Sequence, residues 1–414
     1  MSVRKRTWTT KAGIKEAWIV NYTDSEGKRR LKTFDRKKDA EAAERGIENE
    51  KEEGTHVPES KSISIKEAGE LWLTRGKLDG LERTTLDQRK QHLKEHINPY
   101  LGNLLLSKLT LPAVTKFQDR LRTEAHGSKK QVCTSDMVRR VTISLGSILS
   151  NAIRAGYAAR NVVKDTTHTR TSSERRRKAK LQVGKDIPTR EEIRLIVEHA
   201  TNRYRPLLIT AIFTGLRASE LRGLRWQDVD LANARLHVRQ RADRYHGKKH
   251  EGDHNPLGLP KSEAGQRSVP LAPLVVNTLK EWKLKCPKGA MDLVFPNAKG
   301  NIEFHTNIIH RGLWPAQMAA GVTVDTGERD KEGRPILKPK YPGLHSLRHF
   351  YASWCINRRA DGGLELSAKM VQERMGHSSV TVTLDTYSHL FPSQDDAEAL
   401  AEAEKALLGG LRTI

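Results

Sequence analysis

The stretch LHSLRHFYASW, residues 344–354, says more than any other about the fold and chemistry of this chain. It places His345 and Arg348 three positions apart, so a helix would present both side chains on one face. Taken alone, the spacing is more typical of a solvated pair than of a functional site. Its meaning comes from three other segments in the second half of the chain: TGLRASEL at 214–221, PKSEAGQRSVPL at 260–271 and GHSSVTVTLDTYSHL at 376–390.

The cationic residues of these segments suit a phosphodiester, an anion whose transition state spreads charge over its equatorial oxygens. Arg217 and Arg348 can clamp those oxygens, because a guanidinium stays charged at any working pH and offers a planar fork of donors. Lys261 lies on a predicted hairpin that could enter such a site. A lysine set among other cations has a depressed pKa and can protonate a leaving oxygen.

Tyr387 is the candidate nucleophile of the same set. A free phenol has a pKa of about 10, so its oxygen must be activated before it attacks phosphorus. His345 and His377 can bind the phosphate or move protons. Each residue alone also has an ordinary role: a buried, satisfied tyrosine, a capping histidine at 377, or an ion pair between Arg217 and Glu220. The inference therefore depends on the whole set and its order.

That set and order resemble the tyrosine recombinase (phage integrase) family, whose pattern is Arg, Lys, His-x-x-Arg, His or Trp, and Tyr. The matching positions, in chain order, are Arg217, Lys261, His345, Arg348, His377 and Tyr387. Glu220 matches an acidic family position expected to orient Arg217. Lys248 and Lys249 are rivals of Lys261, but the SxRxVPL-like run that follows favours Lys261.

The resemblance implies a site-specific DNA recombinase that integrates or excises a phage, genomic island or other mobile element. Strand cleavage would leave a 3′-phosphotyrosyl bond, which stores the energy for rejoining, so we expect no ATP, no metal and no other cofactor. The implied partners are double-stranded DNA at attachment sites, three further protomers in a homotetramer, and accessory proteins that bend DNA or set direction.

Two other classes of protein fit parts of the pattern. A type IB topoisomerase uses the same chemistry to rejoin the same strand, but it needs neither synapsis nor an arm-binding module. A DNA-binding regulator that kept the fold and lost catalysis would not need Tyr387. Exchange between two marked duplexes distinguishes the first alternative, and a covalent protein–DNA adduct distinguishes the second.

The fold class expected is multidomain, mainly α with small β-sheets, and 414 residues suggest two to four domains. With names taken from the resemblance, the predicted parts are an arm-type DNA-binding module (small β-sheet plus helix) at 1–55, a helical core-binding (SAM-like) domain at 63–163, a basic linker at 164–185, a mixed, mostly helical catalytic domain at 186–392, and a tail helix at 393–414.

Hydrophobic periodicity and turn residues place the elements within these parts. Ser64 is the expected N-cap of the first core-binding helix. The predicted strands lie at 17–22, 28–34, 236–238 and 267–271, and the predicted helices near 37–53, 64–73, 84–97, 111–125, 135–155, 189–200 and 205–214. A charged excursion at 325–340 has no predicted function.

Basic residues in the first part and in the linker are candidates for DNA binding. A basic ribbon can enter a major groove, although a solvated hairpin explains the same residues about as well. Between two DNA-binding units, the linker run could follow a phosphate backbone. These candidates are Lys28, Arg29, Arg30, Lys32, Arg175, Arg176, Arg177 and Lys178. Xer-type resolvases usually lack the arm-type module, which favours an integrase.

Composition supports a nucleic-acid partner, since 73 Lys and Arg against 50 Asp and Glu give a net charge of +23. Cys133, Cys286 and Cys355 lie far apart, which argues against a disulfide scaffold and against a zinc cluster. The start of the chain lacks the apolar run of a signal peptide, and no stretch is apolar enough to span a membrane. We expect a cytoplasmic, nucleoid-associated protein. The tail helix, with Leu400, Leu407 and Leu411 on one face, could dock on a neighbouring protomer or fold back on the core of its own protomer.

Overall fold

The computed structural model describes residues 2–10, 13–24, 27–52, 58, 61–128, 130–165, 180–243, 256–260, 262–391, 400–401 and 404–407. The chain forms two compact units, Met1–Thr171 and Ser172–Ile414. The boundary between them falls within the predicted linker. Each unit is mainly helical with small sheets, as the sequence predicted.

Some predicted features lie outside the described residues. They are Lys261 and its rivals Lys248 and Lys249, the linker residues Arg175, Arg176, Arg177 and Lys178, and most of the tail. Of the predicted tail helix, residues 400–401 and 404–407 are described and helical. Leu400 and Leu407 are exposed there.

The first unit begins with three antiparallel strands in sequence order, followed by a helix. They are β1 (Ser2–Thr10), β2 (Gly13–Thr23), β3 (Arg29–Phe34) and α1 (Lys37–Glu52). The two predicted strands are confirmed, and β1 completes the sheet. Val20 and Tyr22 pack against Ala40 and Ile47 of α1, so the helix covers one face of the sheet.

Three of the four basic candidates, Arg29, Arg30 and Lys32, lie on β3 and divide between the two faces of the sheet, whereas Lys28 lies in the turn before this strand. Exposure alternates along β3. Arg30 and Lys32 pair with Tyr22 and Val20, so they lie on the face that α1 covers, called the α1 face. Arg29 lies on the opposite face, called the open face. Arg30 Nε donates a hydrogen bond to Asp24 Oδ2 at 2.9 Å, and the Asp24 side chain is 1% exposed. Arg30 therefore holds the β2–β3 turn, a structural role that its sequence position did not reveal.

Two arginines of β1 share the open face with Arg29. Arg4 pairs with Ile19, and Arg29 pairs with Thr23 four positions further along β2, which places all of them on one side. Arg6 follows Arg4 by two residues, so it points the same way. Arg4, Arg6 and Arg29 are all exposed. The sequence analysis missed Arg4 and Arg6 because it placed no strand before residue 17.

The rest of the first unit is a helical domain whose predicted helices are confirmed. Ser64 caps the first helix by accepting a hydrogen bond from the Glu67 backbone N–H, and Glu67 completes a capping box. Trp72, Ile97 and Leu145 lie in the shared core. The elements are α2 (Ile65–Leu78), α3 (Arg83–Gln91), a π-helical turn (His92–Ile97), α4 (Asn98–Leu101), α5 (Leu111–Thr123) and α6 (Ser135–Arg154).

The second unit mixes helices with short antiparallel strands. Its helices are α7 (Arg190–His199), α8 (Arg205–Thr214), α9 (Ala218–Arg222), α10 (Pro273–Lys285), α11 (His305–Ile308), α12 (Trp314–Ala319), α13 (His345–Ile356), α14 (Ala368–Met375) and α15 (Val380–Tyr387). Its strands are β4 (Val229–Asp230), β5 (Arg235–Val238), β6 (Arg241–Ala242), β7 (Leu257–Gly258), β8 (Arg267–Pro270), β9 (Thr323–Arg329) and β10 (Pro335–Pro339). The predicted helices α7 and α8 and the strands β5 and β8 are confirmed.

Helix α8 is the centre of the second unit's core. Its side chains are buried on nearly every side, including Leu208, Ile209 and Ile212, so it reads as a continuous apolar run. Leu347 of α13 packs into the same core, which fixes the start of α13 beside the end of α8. The charged excursion forms an exposed hairpin of β9 and β10. Within the described residues, no helix is both long enough and apolar enough to cross a membrane.

Candidate active site

The site begins where α8 ends and α9 starts. Arg217 immediately precedes α9, and its backbone N–H donates to Glu220 Oε2 at 2.9 Å while its Nη1 donates to Oε1 at 2.8 Å. The Glu220 side chain is 3% exposed, whereas that of Arg217 is 38% exposed. The ion pair expected as an ordinary role of Arg217 therefore exists. It orients the guanidinium, which remains accessible to another ligand.

Arg267 of β8 is the second cation on Glu220. Its Nη2 and Nη1 donate to Oε2 and Oε1 at 2.8 and 3.2 Å, and its Nε donates to the carbonyl of Arg374 at 2.7 Å. Burial acts to raise the pKa of the Glu220 carboxyl, but the charge and hydrogen bonds of Arg267 and then Arg217 lower it overall. The sequence analysis missed Arg267, although it is the arginine of the SxRxVPL-like run that was quoted for Lys261.

Arg348 lies in the first turns of α13 and is 3% exposed. Its two terminal nitrogens donate to the carbonyls of Gly215 and Met375, which belong to the ends of α8 and α14. Carbonyls at helix C-termini lack hydrogen-bond partners within the helix. A buried guanidinium can donate to them, and their partial negative charge stabilises its positive charge. Burial, and then the charge of Arg217, lowers the pKa of Arg348 to about 9, which leaves it charged at neutral pH.

Gly215 is required at the junction between α8 and α9. Its φ is +62°, a left-handed conformation that glycine adopts without cost. A Cβ there would also lie 2.3 Å from Cδ1 of Tyr351. The close approach of α13 that brings Arg348 to the end of α8 therefore depends on a glycine at this position.

The turn after α14 joins the two candidate phosphate-binding arginines. Arg217 Nη2 donates to the carbonyl of Gly376 at 2.9 Å, one residue beyond the Met375 carbonyl that Arg348 contacts. Gly376 ends α14 in the left-handed region, with φ +62°. His377 follows at once, so residues from three distant segments converge at this turn.

Three histidines, His345, His349 and His377, belong to the same site as these arginines. The rings of His345 and His349 meet edge to face with centroids 4.6 Å apart, and His377 Nδ1 lies 2.9 Å from Thr383 Oγ1. Burial lowers the pKa of His349 and of His377 to about 4, and nearby cations add to both shifts. Partial burial and then the charges of Arg348 and Arg217 lower the pKa of His345. These imidazoles are therefore neutral at pH 7.

Tyr387 is the last residue of α15 and is 2% exposed. Its phenol oxygen lies 2.7 Å from Nδ1 of His349. Its ring is nearly parallel to that of His377, with an interplanar angle of 10° and the ring centroids 6.3 Å apart. Burial raises the pKa of the Tyr387 phenol to about 12, against the opposing charge of Arg348. The phenol is therefore protonated, and it donates its hydrogen to Nδ1 in the tautomer of His349 that carries its own hydrogen on Nε2.

His349 is the contact of Tyr387 that the sequence analysis missed. Its signal was present, because His349 lies four positions after His345 and so shares a helix face with it. The motif was matched at His345 and Arg348 only. In the structure His349, not His345, makes the hydrogen bond to the phenol.

We call these residues the Tyr387 cluster: Arg217, Glu220, Arg267, His345, Arg348, His349, His377 and Tyr387. Three guanidiniums and one carboxylate leave a surplus of two positive charges among these residues. Such a surplus favours an anion the size of a phosphate. The neighbours of Lys261, Pro260 and Ser262, lie in the connection between β7, which pairs with β6, and β8, which pairs with β5.

Comparison with known proteins agrees with this arrangement. Residues 189–394 match the phage integrase family, and residues 65–122 match the SAM-like N-terminal domain of phage integrases. The chain belongs to the phage integrase (tyrosine recombinase) family. A relative named "Tyrosine recombinase XerC-like" from Caldanaerobacter subterraneus subsp. tengcongensis is 25% identical over 405 residues, covering 94% of this chain and 96% of the relative.

Solved structures of integrases share the fold. The Tn1549 transposon integrase (residues 82–397, R225K) in complex with a circular intermediate DNA has a TM-score of 0.57 and 18% identity, covering 83% of this chain and 100% of its own. Lambda integrase has been solved as a dimer bound to a COC′ core site, with a TM-score of 0.54 and 16% identity, covering 94% and 95%. It has also been solved as a tetramer bound to a Holliday junction, with a TM-score of 0.53 and 16% identity, covering 91% and 96%.

Proposed function

We propose that this integrase-family chain cleaves and rejoins DNA at specific sites through Tyr387, to integrate or excise a mobile element. The phenol oxygen attacks the scissile phosphorus, the bond from phosphorus to the 5′ oxygen breaks, and a 3′-phosphotyrosyl bond forms. The 5′ hydroxyl of a partner duplex later reverses these steps. The observation that carries the proposal is the convergence of Arg217, Arg348 and His377 on one turn beside the Tyr387 phenol.

The two candidate phosphate-binding arginines have different tasks in this proposal. Arg217 keeps an accessible side chain and can donate to a non-bridging oxygen of the phosphate. Arg348 is held from behind by two carbonyls, so it contributes a fixed positive charge that needs no reorganisation during the reaction. Glu220 and Arg267 are positioning residues, because they set the direction of Arg217 without facing the phosphate themselves.

Protons move at two oxygens. His349 accepts the proton of Tyr387, since its Nδ1 lies 2.7 Å from the phenol oxygen and its ring is neutral, with its own hydrogen on Nε2. Entry of an anionic phosphate offsets the cations that depress the imidazole pKa, which strengthens this base when substrate is bound. Lys261 protonates the departing 5′ oxygen, with Lys248 and Lys249 as rivals. His345 and His377 bind the phosphate, and His345 is the alternative proton acceptor.

DNA binding is assigned to three further parts of the chain. The helical domain at 63–163 is the core-binding domain, and the basic run Arg175, Arg176, Arg177 and Lys178 follows the phosphate backbone. The open face of the N-terminal sheet binds arm-type sites through Arg4, Arg6 and Arg29, since all three are exposed on one side. Lys28, in the turn before β3, and Lys32, on the α1 face of the sheet, add positive charge to the module. By analogy with the lambda integrase tetramer, four protomers act on two duplexes, together with accessory bending and directionality proteins, on the nucleoid in the cytoplasm.

Trapping the covalent adduct tests the central step. The full chain is incubated with a duplex from the ends of its mobile element, nicked so that a short 5′-hydroxyl fragment diffuses away after cleavage. Wild type should accumulate a protein–DNA band that survives denaturation, Tyr387→Phe should give none, and Tyr157→Phe should match wild type as a tyrosine control. Absence of adduct from wild type on cognate DNA defeats the proposal. Exchange of strands between two marked duplexes then distinguishes recombination from relaxation by a topoisomerase.

The proposal that the open face of the N-terminal sheet binds arm-type DNA has a separate test. Arg29→Ala should weaken binding to arm-type DNA and lower the slope of log affinity against log salt by about 0.9, the value for one lost phosphate contact. Arg30→Ala should instead lower the melting temperature, because it removes the ion pair between Arg30 and the buried Asp24 carboxylate. An unchanged slope of log affinity against log salt in Arg29→Ala would show that this face does not contact the DNA phosphates through Arg29.

A further inference from the structure

A second group of chemically active side chains lies in the first unit, far in sequence from the Tyr387 cluster. His96, His126 and Cys133 come together, with one ligand atom from each lying within 4.8 Å of the others. We call them the Cys133 cluster. Nothing in the proposed recombination chemistry uses these three residues.

Local structure explains why the three side chains meet. His96 projects from the π-helical turn after α3, a widened turn of the kind often found at functional sites. His126 and Cys133 stand on the two arms of a short hairpin between α5 and α6. The hairpin is closed by a backbone pair between His126 and Gln131, and Cys133 N–H donates to the carbonyl of Leu121 at 2.8 Å.

The distances between donor atoms resemble those of a zinc site. Tetrahedral zinc bound at about 2.0–2.3 Å sets neighbouring nitrogen and sulfur ligands about 3.3–3.6 Å apart. Cys133 Sγ lies 3.4 Å from His126 Nε2 and 3.8 Å from His96 Nδ1. The two nitrogens are 2.8 Å apart, so they share a hydrogen bond that must open by about half an ångström for an ion to enter.

The surroundings prepare these atoms for a cation. His126 Nδ1 donates to the carbonyl of Glu124 at 2.8 Å, which leaves the lone pair of Nε2 directed at the cluster. The rings of Tyr100 and His126 meet edge to face at 5.4 Å, which provides an apolar wall. His96 is buried while His126 and Cys133 are half-buried, so an ion can reach the cluster from solvent.

We propose that His96, His126 and Cys133 form a zinc site, with Nδ1, Nε2 and a thiolate as ligands and a water molecule in the fourth position. Imidazole and thiolate are the ligands that zinc prefers in proteins, and the thiol proton leaves as the ion binds. The ion fastens the hairpin at 124–133 to the π-helical turn, and so fixes the connection between α5 and α6. Its role is structural, because its three ligands come from two segments that the ion ties together within the helical domain.

Metal titration of the full chain, with any affinity tag removed, tests this site. Zinc added in competition with a chromophoric chelator should bind at one ion per chain and raise the melting temperature. Cys133→Ser and His126→Gln should each weaken binding at least tenfold and abolish the thermal shift. The matched controls are Cys286→Ser, a half-buried cysteine of the second unit, and His199→Gln, an exposed histidine; both should bind as wild type does.

Cobalt(II) identifies the ligands independently of stability. The cobalt-loaded wild type should show a thiolate-to-metal absorption band in the near ultraviolet and visible bands of tetrahedral intensity, and Cys133→Ser should lose the first. Three outcomes overturn the proposal: no stoichiometric zinc on wild type, equal zinc affinity in wild type and both cluster variants, or a cobalt spectrum without the thiolate band. None of these outcomes bears on adduct formation by Tyr387.

Discussion

The Tyr387 cluster and the Cys133 cluster both gather histidines, yet their electrostatic surroundings are opposite. Around Tyr387, burial and then the cations of Arg348 and Arg217 lower the pKa of His377. Around Cys133, burial and then the neighbouring imidazole of His126 lower the pKa of His96, while the carboxylate of Glu95 acts to raise it. A neutral imidazole beside guanidiniums suits an anionic substrate, whereas one beside a thiol and a carboxylate suits a cation. The neighbours, rather than the histidines, decide the ligand.

The largest expected effect tests whether the cations of the Tyr387 cluster serve an anionic substrate. Arg348→Lys keeps one positive charge but cannot donate to the carbonyls of Gly215 and Met375 in the same geometry. Cleavage in single-turnover assays should fall roughly 10²- to 10³-fold, as for loss of a fixed transition-state donor. Arg359→Lys, an exposed arginine after α13, is the control and should cleave normally. Cleavage by Arg348→Lys within tenfold of wild type contradicts the role given to its charge.

The next effect separates the two proton transfers within the Tyr387 cluster. His349→Gln should slow cleavage roughly 10²-fold, the usual contribution of a general base. Replacing the bridging 5′ oxygen by sulfur gives a leaving group that departs without a proton, because thiols are far more acidic than alcohols.

Such a substrate should restore cleavage to Lys261→Ala but not to His349→Gln. Restoration of His349→Gln by sulfur would show that His349 acts at the leaving group instead. Failure to restore Lys261→Ala would favour Lys248 or Lys249 as the acid, and the same substrate tests each of them.

A smaller effect tests whether burial holds the histidines of the Tyr387 cluster neutral. The pKa of His349 and of His377 is about 4 in the folded chain, against 6.5 for an unperturbed histidine. Their depressed pKa stabilises the fold above pH 6.5, and this contribution is lost as pH falls from 6.5 towards 4.

The melting temperature should therefore fall over that range, and less steeply in His349→Gln than in wild type. His199→Gln, which removes an exposed ring, should follow the wild-type curve. Equal slopes for His349→Gln and wild type would mean that His349 does not titrate in this window.

The smallest effect concerns the Cys133 cluster without metal. In chelator-treated protein, His126→Gln removes one hydrogen bond to His96 and should cost about 1 kcal/mol of unfolding free energy. With zinc present, the difference between wild type and variant should grow with zinc concentration, because only wild type binds the ion when folded. A difference that is independent of zinc would reduce the cluster to a hydrogen-bonded pair.

Much of the fold was readable because its signals are local. Ser64 was the expected N-cap of a helix, and residues 205–214 were predicted to be helical; both predictions are confirmed. The faces of the N-terminal sheet were not readable, because exposure of Arg29 and pairing of Arg30 with Asp24 depend on strand register.

The candidate site was predicted in its members but not in its contacts. Arg217, Arg348, His377 and Tyr387 lie in short motifs, so the residue types and their order named them. His349 and Arg267 lie in the same motifs, yet their importance comes from one hydrogen bond to a phenol and from a shared carboxylate. Side-chain pairs of that kind form only when segments meet in space.

The sequence by itself determined the residue types that suit a phosphodiester, the positive charge, the order of the motifs and most helices, because these follow from composition and short-range periodicity. Tertiary structure alone decided that Arg217 and Arg348 meet at one turn and that His349 touches Tyr387. It also decided that Cys133, far from any other cysteine, lies beside His96 and His126. Distances between remote segments depend on packing of the buried core, and no local pattern in the chain encodes them.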